Sequence, residues 1–405
     1  TASTPAADKD LISRCVCIKL NGGLGTSMGL QKAKSLLKVK GEDTFLDLIV
    51  RQVKHLRSIS GTPVRLLLMN SFSTSADTLA YLEKYAADGF ADRAEVELLQ
   101  NRVPKILADS LSPASCPEQP ELEWCPPGHG DLYPALLGSG WLDRLLEDGV
   151  KYAFVSNSDN LGAQLDMNFL RWFAESGAPF VMEVTRRTEA DRKGGHLAVR
   201  KSDGQLILRE VAQCPDEDIP EFQNISRHRY FNTNTLWIRL DALKEILDAN
   251  GGVLPLPMIR NKKTLNPRDP ESAPVYQLET AMGAGIECFP GARAVNVPRS
   301  RFFPVKTTSD LFLLRSDAIA VDEHGNVALA PERQGNTPVV DLDSKLYKLV
   351  DSLDGLGLPS LIGMDKLTLR GRFHFQDGAV LRGTLLMEND SDETKEILPG
   401  VYAGA

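Results

Sequence analysis

Apolar and polar positions run along this chain in two rhythms, and the change between them is the first sign of architecture. From residue 14 to about 315, apolar runs of strand length alternate with stretches whose apolar residues recur every three or four positions. The run RCVCIKL stops at Asn21-Gly22-Gly23, which reads as a buried strand delivering the chain into a Gly-rich loop. Phe45, Leu48, Ile49, Val53 and Leu56 then keep helical spacing, with Thr44 placed to cap the start. A second buried strand is predicted over 64–69, a helix near 77–85 and a third strand over 96–99. The Pro-rich, polar residues up to Pro127 read as a long surface loop, 132–146 as one helix, and 152–156 as a strand running into Asn157-Ser158-Asp159-Asn160. This alternation predicts an α/β fold with a mostly parallel sheet and helices on both faces.

After about Val321 the rhythm changes. LTLRGRFHFQDGAVLRGTLLMEND carries short alternating strands separated by Gly turns, the pattern of a small all-β unit whose strands stack as rungs of a β-helix. Two domains are therefore expected, 1–320 and 321–405, within the range that 405 residues allow.

Composition narrows the function. With 42% hydrophobic and 25% charged residues, the chain has ordinary globular values, which exclude a disordered or fibrous protein. Its 46 basic against 54 acidic residues give a formal charge of −8, so its general field does not favour nucleic acid, and any anionic substrate requires locally gathered cations. No apolar run approaches the ~18–20 residues of a membrane span, and the polar start TASTPAADKD is not a signal peptide. A soluble cytoplasmic protein is expected, with no nucleic-acid or membrane partner. A peroxisome-like organelle is the other compartment left open, although the C-terminus carries no signal for it. A monomer is the favoured assembly. The six cysteines are scattered without zinc-type spacing and read as buried or idle thiols.

The densest candidate chemistry is Leu20-Asn21-Gly22-Gly23-Leu24-Gly25-Thr26-Ser27-Met28-Gly29, directly after the first strand. Glycines let backbone N–H groups face an anion without a Cβ in the way, which suits a polyphosphate beyond the carboxyl end of a parallel strand. It is not a Walker loop, because Lys34-Ser35 follows Ala33 rather than a glycine. Nor is it a Rossmann fingerprint, because Gly29 falls one residue late and the second strand ends Met69-Asn70 with no acid. Lys34 is the natural cation for the loop or an ordinary surface charge. Lys306, in FPVKTT, sits in an apolar context where burial of an ammonium would call for an anion. In PPGHGD, Asp131 is placed to cap a helix, while His129 between two glycines has little packing to do and can donate to a phosphate. Asp159 serves equally a Mg²⁺ ion or an Asx turn. Gly195, Glu210, Asn232 and Asn234 offer groups that hydrogen-bond sugar hydroxyls, each weak alone.

Taken together, these motifs resemble the eukaryotic-type UDP-glucose pyrophosphorylases, the UTP–glucose-1-phosphate uridylyltransferase family. The likeness runs in order through LNGGLGTSMG, KSLLKV, TFLDL, MNSF, PPGHGD, FVSNSDNLGA, KGGHLA, FNTNTLWI, YQLETAMGA and VPRSRFFPVKTTSDL, over roughly residues 14–318. GLQKAKSLL, QNRVPKI and VVDLDSKLYK point to the kinetoplastid branch. The resemblance implies a nucleotidyltransferase domain like that of glycosyltransferase-A enzymes, followed by a left-handed β-helix. It implies that Leu20, Asn21, Gly22, Gly23 and Met69 embrace the nucleotide, that Gln100 reads the uracil edge, and that the Gly130 backbone assists. Lys34 would hold the leaving phosphates and Lys306 would bridge the α-phosphate and the sugar phosphate. His129 and Asp159 would lie near the phosphates, Asp159 with Mg²⁺, while Asn157, Gly195, Glu210, Asn232 and Asn234 would surround the glucose. Ala33 departs from the Pro that many members carry before the loop Lys.

The implied reaction joins UTP and glucose 1-phosphate into UDP-glucose and pyrophosphate by one reversible, in-line displacement. Rival readings are a pyrophosphorylase for other UDP-sugars or UDP-N-acetylhexosamine, and a non-catalytic nucleotide-sugar binder that kept the fold.

Overall fold

The computed structural model describes residues 5–267 and 269–404, so the first four residues of the polar start lie outside it. The described chain divides into two compact units that interleave in sequence. One comprises residues through Gly22 with Arg57–Asn157 and Leu165–Arg299; the other comprises Gly23–Leu56, Ser158–Gln164 and Ser300 onward.

The first unit is built on a nine-stranded sheet. Its strands are β1 (Cys15–Asn21), β2 (Arg65–Asn70), β3 (Glu97–Leu99), β4 (Tyr152–Asn157), β5 (Phe180–Arg186), β6 (His196–Val199), β7 (Leu206–Arg209), β8 (Tyr230–Arg239) and β9 (Arg293–Asn296). The central order β4-β1-β2-β3 is wholly parallel, with Leu20 opposite both Met69 and Asn157. β8 runs antiparallel beside β4 and also pairs antiparallel with β5, so the sheet is mainly parallel at its centre and mixed at its margin.

Both faces are covered, as a parallel sheet requires. Val16 and Ile18 of β1 point into a core completed by Leu136, Leu142, Leu145, Leu243 and Leu247. These come from helices Leu132–Gly138, Trp141–Glu147 and Leu240–Ala249. The opposite face carries Phe154 and Trp237, whose rings pack on each other, and Trp237 also packs on Phe169 and Phe173 of helix Met167–Ser176.

Local sequence explains most departures from expectation. The single helix expected over 132–146 is two, because Gly140 at φ 79° breaks the turn between them. The helix expected near 77–85 spans Ser75–Leu82 and tightens into a 3₁₀ turn over Glu83–Asp88. The Pro-rich loop contains two-residue strands at Val103–Pro104, Ile106–Leu107 and Trp124–Cys125. Within the polar start, Pro5–Ser13 is helical, which periodicity did not reveal.

In the second unit, the alternating C-terminal segments are strands that pair in parallel, Val339–Asp341 with Ser360–Arg370, then Ala379–Glu388, then Gly400–Ala403. Phe373–Phe375 pairs in parallel with Lys395–Ile397. Inward residues Leu361, Leu367, Leu369, Phe373, Phe375 and Leu381 are buried, which is what the period-two pattern predicts. Helix Phe45–Ser60, most of it in this unit, begins on a capping box. The Thr44 N–H donates to Asp47 Oδ2 (2.8 Å), and the Asp47 N–H donates to Thr44 Oγ1 (3.2 Å). Among the described residues no helix is long and apolar enough to cross a membrane. Thr44→Ala removes half of the box and should destabilise the protein by about 1 kcal/mol in equilibrium urea unfolding, with the m-value unchanged.

Candidate functional site

In the first unit, buried side chains lock the carboxyl ends of β1 and β2 to each other and to the start of β3. Asn21 Nδ2 donates to Asn70 Oδ1 (2.7 Å) and to Thr78 Oγ1 (3.0 Å), and Asn70 Nδ2 donates to Glu97 Oε1 (2.8 Å). Ser71 Oγ donates to the Gly22 carbonyl (2.8 Å), fixing the exit of β1. Over that exit lies Gln100: a Cβ on Gly22 would sit 2.1 Å from its Oε1, so only glycine lets the amide come so close. Leu20 packs against the core. The Met69 side chain is 1% exposed within that core and the Asn21 amide is committed to Asn70 and Thr78. Any role of these two toward a nucleotide therefore passes through backbone or through the shape they impose.

Gly130 lies in the turn His129–Asp131, where a Cβ would meet Thr280 Oγ1 at 2.3 Å. Asp131 does not cap the helix that follows, contrary to expectation. Its Oδ2 accepts from the Asn101 backbone N–H (2.6 Å) and its Oδ1 from Asn101 Nδ2 (2.9 Å). The carboxylate is turned to the neighbouring loop, and among the described residues no helix N–H donates to it.

The expected sugar-facing groups also converge in the first unit. The register of β5 and β8 shifts between Glu183 and Val184, and Asn234 adopts φ 60°, a left-handed conformation that asparagine tolerates. The Asn234 N–H then donates to Asn232 Oδ1 (2.9 Å), and Asn234 Nδ2 donates to Asn157 Oδ1 (3.1 Å). The Gly195 carbonyl accepts from the Asn232 N–H (3.0 Å), and a Cβ on Gly195 would meet Glu210 Oε1 at 2.4 Å, so only glycine leaves room for this carboxylate.

His129 joins this cluster with its proton fixed. The Met282 N–H donates to His129 Nδ1 (2.9 Å), so the neutral ring carries its hydrogen on Nε2, which lies 3.5 Å from Asn234 Nδ2. Nε2–H thus faces a donor, and an acceptor on a ligand would satisfy it. Desolvation of the half-buried ring pushes its pKa down to about 4, so at neutral pH His129 is a neutral donor.

The second unit holds the charged groups. Leu24 and Ala33 form a bridge across the Gly-rich loop, and the Lys34 N–H donates to the Gly23 carbonyl (3.3 Å), which closes the loop and sets Lys34 at its base. Lys34 Nζ pairs with Asp159 Oδ2 at 2.7 Å, both side chains more than four-fifths buried. Asp159 Oδ1 is buried and has no hydrogen-bond partner among the described residues. The Asp159 carbonyl accepts from the Val305 N–H (3.1 Å), and Asn160 bridges to Pro304, so the strand of residues that leads into Lys306 runs beside Asp159. The expectation of a buried Lys306 is corrected. Phe302 and Val305 are buried while Lys306 itself is exposed, so the cost of burying its ammonium says nothing about its role.

Asp159 fits a hard divalent cation in one respect: an orphaned buried carboxylate oxygen is a free ligand. Among the described residues no three His, Cys, Asp or Glu side chains are gathered to cage a metal. One carboxylate with the remaining ligands from phosphates and water is the usual way Mg²⁺ is held in phosphoryl chemistry.

No thiol is set up as a nucleophile in the buried set. Burial pushes the Cys17 and Cys288 thiols up to about 11 and raises Cys15 and Cys125. Asn70 lies in MNSF, Asn101 in QNRVPKI, and Thr280 and Met282 in YQLETAMGA, but nothing local marks the supporting roles that these residues and Glu97 play.

A mainly parallel sheet with polar groups gathered beyond its strand ends defines a nucleotidyltransferase-like α/β protein. The chain belongs to the UTP–glucose-1-phosphate uridylyltransferase family, whose profile matches residues 2–382. It is 44% identical over 379 residues to the UTP–glucose-1-phosphate uridylyltransferase of Saccharomyces cerevisiae, covering 93% of this chain and 74% of the yeast protein. It is similar to the crystal structure of a UDP-glucose phosphorylase from Trypanosoma brucei at 47% identity and a TM-score of 0.90, covering 98% of this chain and 86% of the other. A Leishmania major UDP-glucose pyrophosphorylase variant solved with UDP-glucose matches at 47% identity and a TM-score of 0.90, again over 98% and 86%.

The histidines make a pH test possible. His129 and His196 have folded pKa values lowered by desolvation to about 4 and about 3. Below the ordinary value near 6.5 the unfolded chain binds protons that the folded chain refuses, so stability is lost as pH falls from there toward 4. The urea midpoint should be lower at pH 5 than at pH 7.5, and the drop should shrink in His129→Gln. Equal drops in both proteins would show that His129 is not held neutral.

Proposed function

We propose that this chain is an enzyme that transfers the uridylyl group from UTP to glucose 1-phosphate, giving UDP-glucose and pyrophosphate in a reversible, single in-line displacement. The observation that carries the reading is Asp159, with one oxygen on the Lys34 ammonium and the other buried and unpartnered, beside the segment that presents Lys306. A cation and an orphaned carboxylate at the base of a Gly-rich loop suit a polyphosphate. The neutral amides and imidazole of the first unit suit a base and a sugar.

In the displacement, a phosphate oxygen of glucose 1-phosphate attacks the α-phosphorus of UTP and the bond to the β-phosphate oxygen breaks. The nucleophile is already an anion, so no proton has to move. Positioning and charge neutralisation supply the rate. Gln100 and the Gly130 backbone hold the uracil, while Asn157, Gly195, Glu210, Asn232 and Asn234 hold the glucose hydroxyls. His129 donates Nε2–H to a phosphate or sugar oxygen. Lys34 neutralises the departing pyrophosphate, and Lys306, exposed on the segment that runs beside Asp159, bridges the α-phosphate and the sugar phosphate. Asp159 would hold Mg²⁺, which when bound supplies further neutralisation of phosphate charge.

The same reading takes the catalytic domain, 1–320, as glycosyltransferase-A-like, and the parallel C-terminal strands, within 321–405, as rungs of a left-handed β-helix. It takes the protein as a cytoplasmic monomer.

Pyrophosphate release with UTP should be fastest with glucose 1-phosphate among glucose, galactose and N-acetylglucosamine 1-phosphates; a faster rate with another sugar would overturn the assignment. Lys306→Ala should lower kcat by ~10²-fold or more while UTP affinity falls much less. A near-normal kcat with only a raised KM for UTP would place Lys306 in ground-state binding.

A further inference from the structure

We infer that Asp131 is a specificity-determining positioning residue: it fixes the spacing between Gln100 and the Gly130 backbone, and thereby selects uracil over cytosine. The inference rests on the assignment of Gln100 to the base.

The geometry forms one continuous path. The turn carrying Asp131 packs closely on Thr280: a Cβ added at Gly128 or Gly130 would lie 2.5 Å from the Thr280 carbonyl oxygen or 2.3 Å from Thr280 Oγ1. The Thr280 N–H in turn donates to the Pro127 carbonyl (2.9 Å). From this turn, the Asp131 carboxylate, 6% exposed, takes both donors of Asn101, at 2.6 Å from the backbone and 2.9 Å from the side chain. Gln100 is therefore pinned on both sides: its own N–H donates to the Asn70 carbonyl (2.8 Å), and the next N–H belongs to Asp131. Among the described residues, no hydrogen bond holds the Gln100 side-chain amide. The backbone, held at the Asn70 carbonyl, places this amide over Gly22.

A free glutamine amide can turn over and serve either pyrimidine, since it offers both a donor and an acceptor. A backbone N–H cannot turn over. Discrimination between uracil and cytosine therefore needs the amide held at one distance from the Gly130 N–H, so that both contacts are made only by the correct base edge. Asp131 is one residue from Gly130 and bonds the residue after Gln100, so it links the two directly. A misplacement on the order of 1 Å in such a pair costs ~10²-fold.

The test is kcat/KM for UTP and for CTP, with glucose 1-phosphate saturating, in wild type, Asp131→Asn, Asn101→Ala, Gln100→Ala and the Asp131→Asn/Gln100→Ala double variant. Asp131→Asn keeps the shape but replaces a charged acceptor by a neutral amide, which weakens both bonds to Asn101. It should cut the UTP/CTP preference by about tenfold or more, through KM for UTP rather than kcat. Asn101→Ala spares the backbone bond and should give a smaller loss in the same direction; it carries the test if Asp131→Asn does not fold. The double variant should lose no more preference than Gln100→Ala alone. If Gln100→Ala erodes the preference but Asp131→Asn and Asn101→Ala lower activity equally for both nucleotides, Asp131 is merely structural and the inference fails. If Gln100→Ala leaves the preference intact, the base assignment fails, and the inference with it.

Discussion

Both substrates of this enzyme are polyanions, while the chain that must hold them carries a formal charge of −8. That conflict is the constraint on which the site depends. The protein meets it locally: Lys34 lies at the base of a Gly-rich loop, paired with a carboxylate whose second oxygen has no hydrogen-bond partner among the described residues. The pair is largely buried, so each charge gains from the other what water would have supplied. A polyphosphate arriving with its own cation offers the same compensation to both, which is why such a pair can be stable before binding and still serve afterwards.

Neutral recognition is separated from this charge handling. The strand ends of the parallel sheet are tied by Asn21, Asn70 and Glu97, and the bulge at Asn234 turns amides toward Asn157 and His129. Buried amide networks of this kind are rigid when every member is satisfied. His129 Nε2–H is left facing a donor, its tautomer dictated by the backbone N–H of Met282, 153 residues away in the chain. Specific recognition of hydroxyls follows from fixed donors and acceptors rather than from net charge.

Much of this was legible in the sequence because local rules decided it. Period-two and unbroken apolar runs identified the strands of the parallel centre, Thr44 capped its helix, and the Gly-rich stretch fell at a strand end. Charge and glycine spacing brought Lys34 and Asp159 into consideration, and the structure pairs them. What the sequence concealed depended on distant partners. Lys306 has apolar neighbours in sequence, but these turn inward and leave its ammonium outside. Asp131 stands where a cap would be, yet Asn101 takes both its oxygens. The antiparallel margin of the sheet is likewise set by where β8 docks, which no window of residues encodes.

The central claim is that charge neutralisation and positioning suffice, with no covalent step on the protein. The buried thiols are pushed away from ionisation, and His129, neutral with its Nδ1 committed to Met282, presents no lone pair toward the ligand side. Isotope exchange between labelled pyrophosphate and UTP in sugar-free enzyme tests this most directly. The account predicts no exchange until glucose 1-phosphate or UDP-glucose is added; robust exchange in the absence of both would mean that the uridylyl group had moved onto the protein.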